Sequence, residues 1–260
     1  MRLHGKTAIV TGAGSGFGAG IAQQFAAEGA TVMVADINLD AAQAIAEPLA
    51  ATAQHVDVAS DSSVAHMIGA AQALWGRIDI LVNNAGINKP VEHYDLDGLS
   101  AQDFMDIYNV NVIGAFQMIR AVAPAMQQQG AGVVVNVSSG SGENGYGSSV
   151  AYSASKGAIN TLTKSLGRAL APTIRVNAVC PGMVITALWD KLQHTEEQRA
   201  AWLKTVISEI PLNKEPTPEI IARNILYLAS DLSAHLTGQL ITTDGGTSLG
   251  LYHPMFEQSV

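Results

Sequence analysis

Cysteine is almost absent from this chain. Cys180 stands alone among 260 residues, which excludes an internal disulfide, offers no cysteine pair to a metal, and is compatible with a reducing compartment. Basic residues are scarce as well: 14 lysines and arginines face 22 aspartates and glutamates, a formal charge of -8. The cations form no cluster, so neither nucleic acid nor an anionic membrane is an expected partner. No apolar run approaches the roughly 18 residues of a membrane span. Met1 to Thr11 lacks the charged lead, apolar segment and cleavage site of a leader, so a cytoplasmic location is expected. The histidines have no ligand spacing, and no metal is expected. Also missing is any repeat, low-complexity tract or Pro/Gly linker. The length suits an open α/β sheet folded as one unit, so residues 1–260 read as a single domain.

What the chain does have is alternation. Apolar, β-rich runs at Thr7 to Val10, Thr31 to Ala35, Ile78 to Val82, Val133 to Val137, Ile174 to Val179 and Gln239 to Thr243 are separated by segments with helical spacing. Those segments include Ala19 to Glu28, Ala41 to Leu49, Val64 to Leu74 and Ala158 to Leu170. Strand and helix patterns in turn predict a doubly wound α/β fold with a mainly parallel sheet. The strands are apolar on consecutive positions, as required when helices cover both faces. Two regions interrupt the rhythm: the Gly/Ser-rich stretch Gly140 to Val150, and the mixed segment Met183 to Leu212, where Leu188, Trp189, Leu192 and Trp202 would form an apolar substrate lid, a spacing that ordinary helix packing also explains. Both follow strands, where ligands bind in such sheets.

The first strand runs into Thr11-Gly12-Ala13-Gly14-Ser15-Gly16-Phe17-Gly18, directly ahead of a helix. Glycines there permit a tight turn and a close backbone approach to a pyrophosphate at the helix N-terminus. The spacing is not G-x-G-x-x-G, because Phe17 stands at its last position. Asp36 ends the second strand, eighteen residues after Gly18. There a carboxylate accepts hydrogen bonds from adenosine ribose hydroxyls and repels a 2'-phosphate, which favours NAD over NADP.

The spacing T-G-x-x-x-G-x-G resembles the short-chain dehydrogenase/reductase family, and further motifs follow in family order. Asn83-Asn84-Ala85-Gly86 is similar to its N-N-A-G. Tyr152-Ser153-Ala154-Ser155-Lys156 is similar to its Y-x-x-x-K, with Ser139 thirteen positions before the tyrosine. Pro181-Gly182 with Thr186 is similar to its P-G-x-x-x-T, and Asp244-Gly245-Gly246 closes the series. The resemblance implies a seven-stranded sheet in the order 3-2-1-4-5-6-7 and a homotetramer. It implies cofactor contacts from Gly12, Ser15, Gly16, Phe17, Gly18, Asp36, Asp57, Val58, Asn84, Tyr152, Lys156, Pro181, Gly182, Val184 and Thr186. It assigns catalysis to Asn111, Ser139, Tyr152 and Lys156: Tyr152 as acid/base, Ser139 as donor to the substrate oxygen, and Asn111 holding a water that links the lysine to solvent. Ser138, one residue out of register, reads as structural.

The proposed acid/base has a definite energetic requirement. Hydride transfer at a carbinol carbon leaves a proton to be moved, and lowering a phenol from about 10 by roughly two to three units needs about 3 to 4 kcal/mol. A cation about 4 Å away at an effective dielectric near 20 supplies roughly 4 kcal/mol. Lys156, one turn on from Tyr152, is of the right kind and on the same helix face. Cys180 reads as core because no cation near it in sequence would activate a thiolate. His93 with Tyr94, and Glu143 with Tyr146, read as solvated loop residues that could reach a substrate. The expected activity is NAD-dependent interconversion of a secondary alcohol, polyol or sugar-like, and its ketone. A 3-oxoacyl-thioester reductase and a non-catalytic dinucleotide-binding regulator stand as alternatives.

Overall fold

The computed structural model describes residues 1–184, 195–215 and 217–250. Seven strands, β1 (Thr7–Thr11), β2 (Thr31–Asp36), β3 (Thr52–His55), β4 (Ile80–Asn83), β5 (Gly132–Val137), β6 (Ile174–Pro181) and β7 (Leu240–Thr243), form one sheet in the order β3-β2-β1-β4-β5-β6-β7. Every neighbouring pair is parallel. The helices are α1 (Gly16–Ala27), α2 (Leu39–Ala46), α3 (Asp61–Trp75), α4 (Ala101–Tyr108), α5 (Ala115–Gln128), the short α6 (Ser141–Asn144), α7 (Val150–Ala169), α8 (Glu196–Ser208) and α9 (Pro218–Ala229).

Strand alternation sorts the core into two layers. Ala8, Val10, Val32, Val34, Val82 and Val135 pack with Ile21 and Phe25 of α1 and Ile225 of α9. Ile9, Met33, Ala35, Leu81 and Val134 point the other way and pack with Met67 of α3 and Met118 and Val122 of α5. Both faces are apolar because both are covered, which is why the strands read as unbroken apolar runs. β3 escaped that pattern. It is an edge strand of sequence TAQH with only partial burial, so polar residues cost it little.

Two helical features differ from the periodicity reading. α7 begins at Val150, a full two turns before the apolar spacing starts, because Ser153, Ser155 and Lys156 are buried polar residues on its inner face. Between α4 and α5 the chain passes through a π-helical stretch, Asn109–Gly114, that carries Asn111. Such widened turns shift a side chain relative to the regular ladder and recur at functional sites.

Parallel strands place all carboxyl ends along one edge of the sheet. The order reverses between β1 and β4, which opens a crevice there. On the far side of the sheet, Arg175 of β6 holds α9 in place. Its guanidinium donates to the carbonyls of Leu228 at 3.1 Å, Ser230 at 3.2 Å and Leu236 at 3.3 Å, and to Ser233 Oγ at 3.1 Å. Replacing it with methionine removes four charge-assisted bonds and leaves the Leu228, Ser230 and Leu236 carbonyls only the Ser233 and Asn177 donors they also use. Arg175→Met is expected to cost about 2 to 4 kcal/mol, or roughly 4 to 16 °C in Tm for a domain of this size. Calorimetry showing a drop below about 2 °C would show that α9 does not depend on this contact.

Candidate active site

The Thr11-to-Gly18 loop spans the reversal point, and its glycines are required by space. Gly12 has φ +62°, and a Cβ there would sit 2.8 Å from Ala85 Cα. A Cβ on Gly18 would sit 2.2 Å from the Gly12 carbonyl oxygen. α1 starts at Gly16 with no side-chain cap from Ser15, so first-turn N–H groups are left for an anion.

Thr11 and Asn84 fasten this loop to the end of β4. The Thr11 hydroxyl oxygen accepts from the Asn84 and Ala85 amides, both at 3.1 Å. Asn84 Nδ2 donates to the Thr11 and Gly12 carbonyls, both at 2.9 Å. Asn84 thus spends its side-chain donors on shaping the loop. Thr11 was not singled out in sequence, although its place ahead of the first glycine was visible. Asp36 also braces the loop: one carboxylate oxygen accepts from the Gly14 amide and the other from the Asn38 amide, each at 2.9 Å. A carboxylate has further lone pairs for ribose hydroxyls. Ile37 beside it is 66% exposed. Asp57 accepts from the Ala59 amide at 2.9 Å, and Val58 is buried against Gly114, its carbonyl accepting from Gln117 Nε2 at 2.7 Å.

The acid/base candidates converge at the ends of β5 and α7. Ser149 caps α7 by accepting from the Tyr152 amide at 3.3 Å. Lys156 is 5% exposed. Its Nζ donates to the Val137 carbonyl at 2.8 Å and lies 5.5 Å from the centre of the Tyr152 ring. Ser139 Oγ accepts from the Ser141 amide at 3.2 Å, which occupies an acceptor site and not the hydroxyl proton. Asn111 is buried and multiply engaged: Oδ1 accepts from the Ile87 amide at 2.8 Å, while Nδ2 donates to the Ile87 carbonyl and to Ser155 Oγ, both at 3.0 Å. Ser155 in turn donates to the Tyr152 carbonyl at 2.7 Å. Asn111 therefore links the segment after β4 to α7.

The Pro181 carbonyl accepts from the Gly140 amide at 2.8 Å, and the Gly182 amide donates to Thr243 at 3.0 Å. Val184 is buried. Thr186, Leu188, Trp189 and Leu192 lie outside the described residues. At the rim, His93 Nε2 pairs with the Gly147 carbonyl at 3.1 Å and the Val91 amide donates to Ser148 at 2.8 Å. These bonds join two loops, while Tyr94 and Tyr146 are exposed. Glu143 accepts from Thr242 Oγ1 at 2.9 Å.

A phosphate-type loop at the reversal point, with Ser139, Tyr152 and a buried lysine on the neighbouring strand and helix, defines a dinucleotide-dependent oxidoreductase acting on CH–OH and C=O groups. The chain belongs to the short-chain dehydrogenase/reductase family. The enoyl-(acyl carrier protein) reductase family profile matches residues 12–248. The 3-oxoacyl-(acyl-carrier-protein) reductase of Thermotoga maritima is 39% identical over 252 residues, 95% of this chain and 99% of that protein. The 7alpha-hydroxysteroid dehydrogenase of Escherichia coli is 34% identical over 253 residues, 95% of each. A short-chain type dehydrogenase/reductase from Mycobacterium marinum superposes with a TM-score of 0.84 at 36% identity, covering 95% of this chain and 97% of that one. The family binds a nicotinamide dinucleotide, and the loop, the free helix terminus and Asp36 fit one.

Cys180 is fully buried, and burial pushes its thiol up to about 11 from 9.0. A raised thiol pKa means less thiolate: at pH 8 about 0.1% is ionised, against about 10% for an ordinary cysteine. Iodoacetamide at pH 8 should therefore label the native protein at least about 100-fold more slowly than the urea-unfolded chain. Comparable rates would place Cys180 in an exposed, reactive position.

Proposed function

We propose that this protein is an NAD-dependent dehydrogenase/reductase that interconverts a secondary alcohol and its ketone, with Tyr152 as acid/base. The observation that carries it is the buried Lys156 ammonium beside the Tyr152 ring, resting on the Val137 carbonyl two residues before Ser139. When bound, the nicotinamide accepts or supplies the hydride at the carbinol carbon. The protein's own groups handle the oxygen. Ser139 donates its hydroxyl proton to the substrate oxygen and fixes its position. Tyr152 takes the alcohol proton on oxidation and returns one on reduction. Lys156 favours the phenolate by holding a buried ammonium beside the Tyr152 ring. Asn111, with the loop water the family places there, connects the lysine to solvent.

Asp36 supports NAD over NADP. A 2'-phosphate about 4 Å from its carboxylate would cost roughly 4 kcal/mol at the same dielectric, and exposed Ile37 supplies no cation. A 3-oxoacyl-thioester reductase is the second reading, favoured by the 39% identity to the Thermotoga maritima enzyme and weakened by the net charge of -8 with no basic patch for an acidic carrier. The presence of Tyr152, Lys156 and Ser139 together argues against a silent regulator. Among the described residues no helix is long and apolar enough to cross a membrane. A cytoplasmic homotetramer acting on a free small molecule is the setting we propose.

A panel of 2-butanol, cyclohexanol, xylitol, a hydroxysteroid and a 3-hydroxyacyl thioester, followed by absorbance of the reduced cofactor, tests this reading. Tyr152→Phe should lose at least about 1000-fold in kcat, near 4 kcal/mol, with the NAD Kd nearly unchanged. Turnover within about threefold of the parent would remove Tyr152 from the acid/base role. The parent should prefer NAD by about 100-fold or more in kcat/KM, and Asp36→Ala with Ile37→Arg should collapse or invert that ratio. Equal use of both cofactors by the parent would sink the role given to Asp36.

A further inference from the structure

Behind the acid/base pair lie two polar residues that no motif assigns to catalysis. Ser138 and Asn160 are 3% and 5% exposed. The Ser138 hydroxyl donates to Asn160 Oδ1 at 2.6 Å and lies 3.2 Å from the Lys156 carbonyl oxygen. Asn160 is one turn beyond Lys156 on α7 and ends against Cys180 Sγ, 3.7 Å from Oδ1. Its Nδ2 has no hydrogen-bond partner among the described residues.

That arrangement is poor as a stabilising device. A buried amide with unpaired donors costs free energy that an apolar side chain of similar size would not. Local rules are broken in this way mainly where function compensates. The geometry suggests what is gained. Lys156 meets consecutive residues of one strand end: its Nζ donates to the Val137 carbonyl, and its own carbonyl lies beside the Ser138 hydroxyl, whose one proton it shares with Asn160 Oδ1. The next residue is Ser139. Three successive positions thus carry the lysine's anchor, the contact to α7 and the hydroxyl to which the proposed function gives the substrate oxygen.

We propose that Ser138 and Asn160 are positioning residues that lock α7 to the end of β5, so that Ser139, Tyr152 and Lys156 keep one mutual geometry during proton transfer. The inference rests on Tyr152 being the acid/base. A slip of about 1 Å between α7 and β5 changes the Tyr152–Ser139 and Tyr152–Lys156 separations together, and misplacement of that size can cost up to about 100-fold in rate.

The test compares Ser138→Ala, Asn160→Leu, their double variant and Ser138→Thr, using NAD and the fastest alcohol of the panel. Each alanine or leucine variant should lower kcat by about 10-fold or more while the NAD Kd stays within about twofold. Loosening the Lys156–Tyr152 contact should also shift the acid limb of the kcat profile upward. The double variant should be no worse than the worse single one, since the pair acts as a unit, and Ser138→Thr should restore most of the rate. Asn160→Leu should keep or raise the Tm despite its lost rate. If kcat stays within about threefold with an unmoved pH limb, or if Tm, NAD affinity and rate fall together, the pair is structural and the proposal is wrong. Tyr152→Phe run alongside separates the premises: turnover surviving in that variant would refute the acid/base reading itself.

Discussion

The site is organised around a cation held away from water. Lys156 is buried on the inner face of α7, has no carboxylate partner among the described residues, and rests on one backbone carbonyl and the flank of a tyrosine ring. Taking an ammonium out of water without a counter-ion costs several kcal/mol. Nothing in the fold needs that cost, because an apolar residue would fill the same space. On the function proposed above, the charge is retained for what it does to its neighbours.

That requirement explains the local architecture. β5 ends at Val137, whose carbonyl accepts from Lys156, and the next two residues, Ser138 and Ser139, present hydroxyls, that of Ser138 to Asn160. α7 extends two turns past its apolar stripe so that Tyr152, Ser155 and Lys156 reach the sheet edge. The π-helical stretch turns Asn111 inward, where it ties the Ile87 backbone to Ser155. Across the crevice, Thr11, Asn84 and Asp36 hold the glycine loop by hydrogen bonds from three different strand ends. The dinucleotide half is thus shaped mainly by backbone and small residues, and the chemical half by a few buried polar side chains.

Sequence reading reached the two halves unequally. Six of the strands stood out because their residues are mostly apolar, four of them (β1, β2, β4 and β5) on both faces of the sheet. β3 was hidden by its edge position. Spacing singled out Tyr152, Lys156 and Ser139, which the fold gathers at the ends of β5 and α7, and Asp36 by its distance to the glycine loop, whereas the bracing of Gly14 by Asp36 had no signal in sequence. The start of α7 was obscured by the buried polar residues that make it useful, since periodicity methods read polar as exposed. Thr11, Ser155 and Asn160 act through contacts between segments far apart in the chain, and no local pattern announces such contacts.

If Lys156 is kept for function at the expense of stability, removing its charge should separate the two. Thermal unfolding of Lys156→Met, without and with saturating NAD, measures both at once. The account predicts that the variant without cofactor unfolds at the same or a higher temperature than the parent, and that NAD no longer raises its Tm as it does the parent's. A variant that unfolds earlier yet keeps the full NAD-induced rise would contradict it, and would make Lys156 a structural residue.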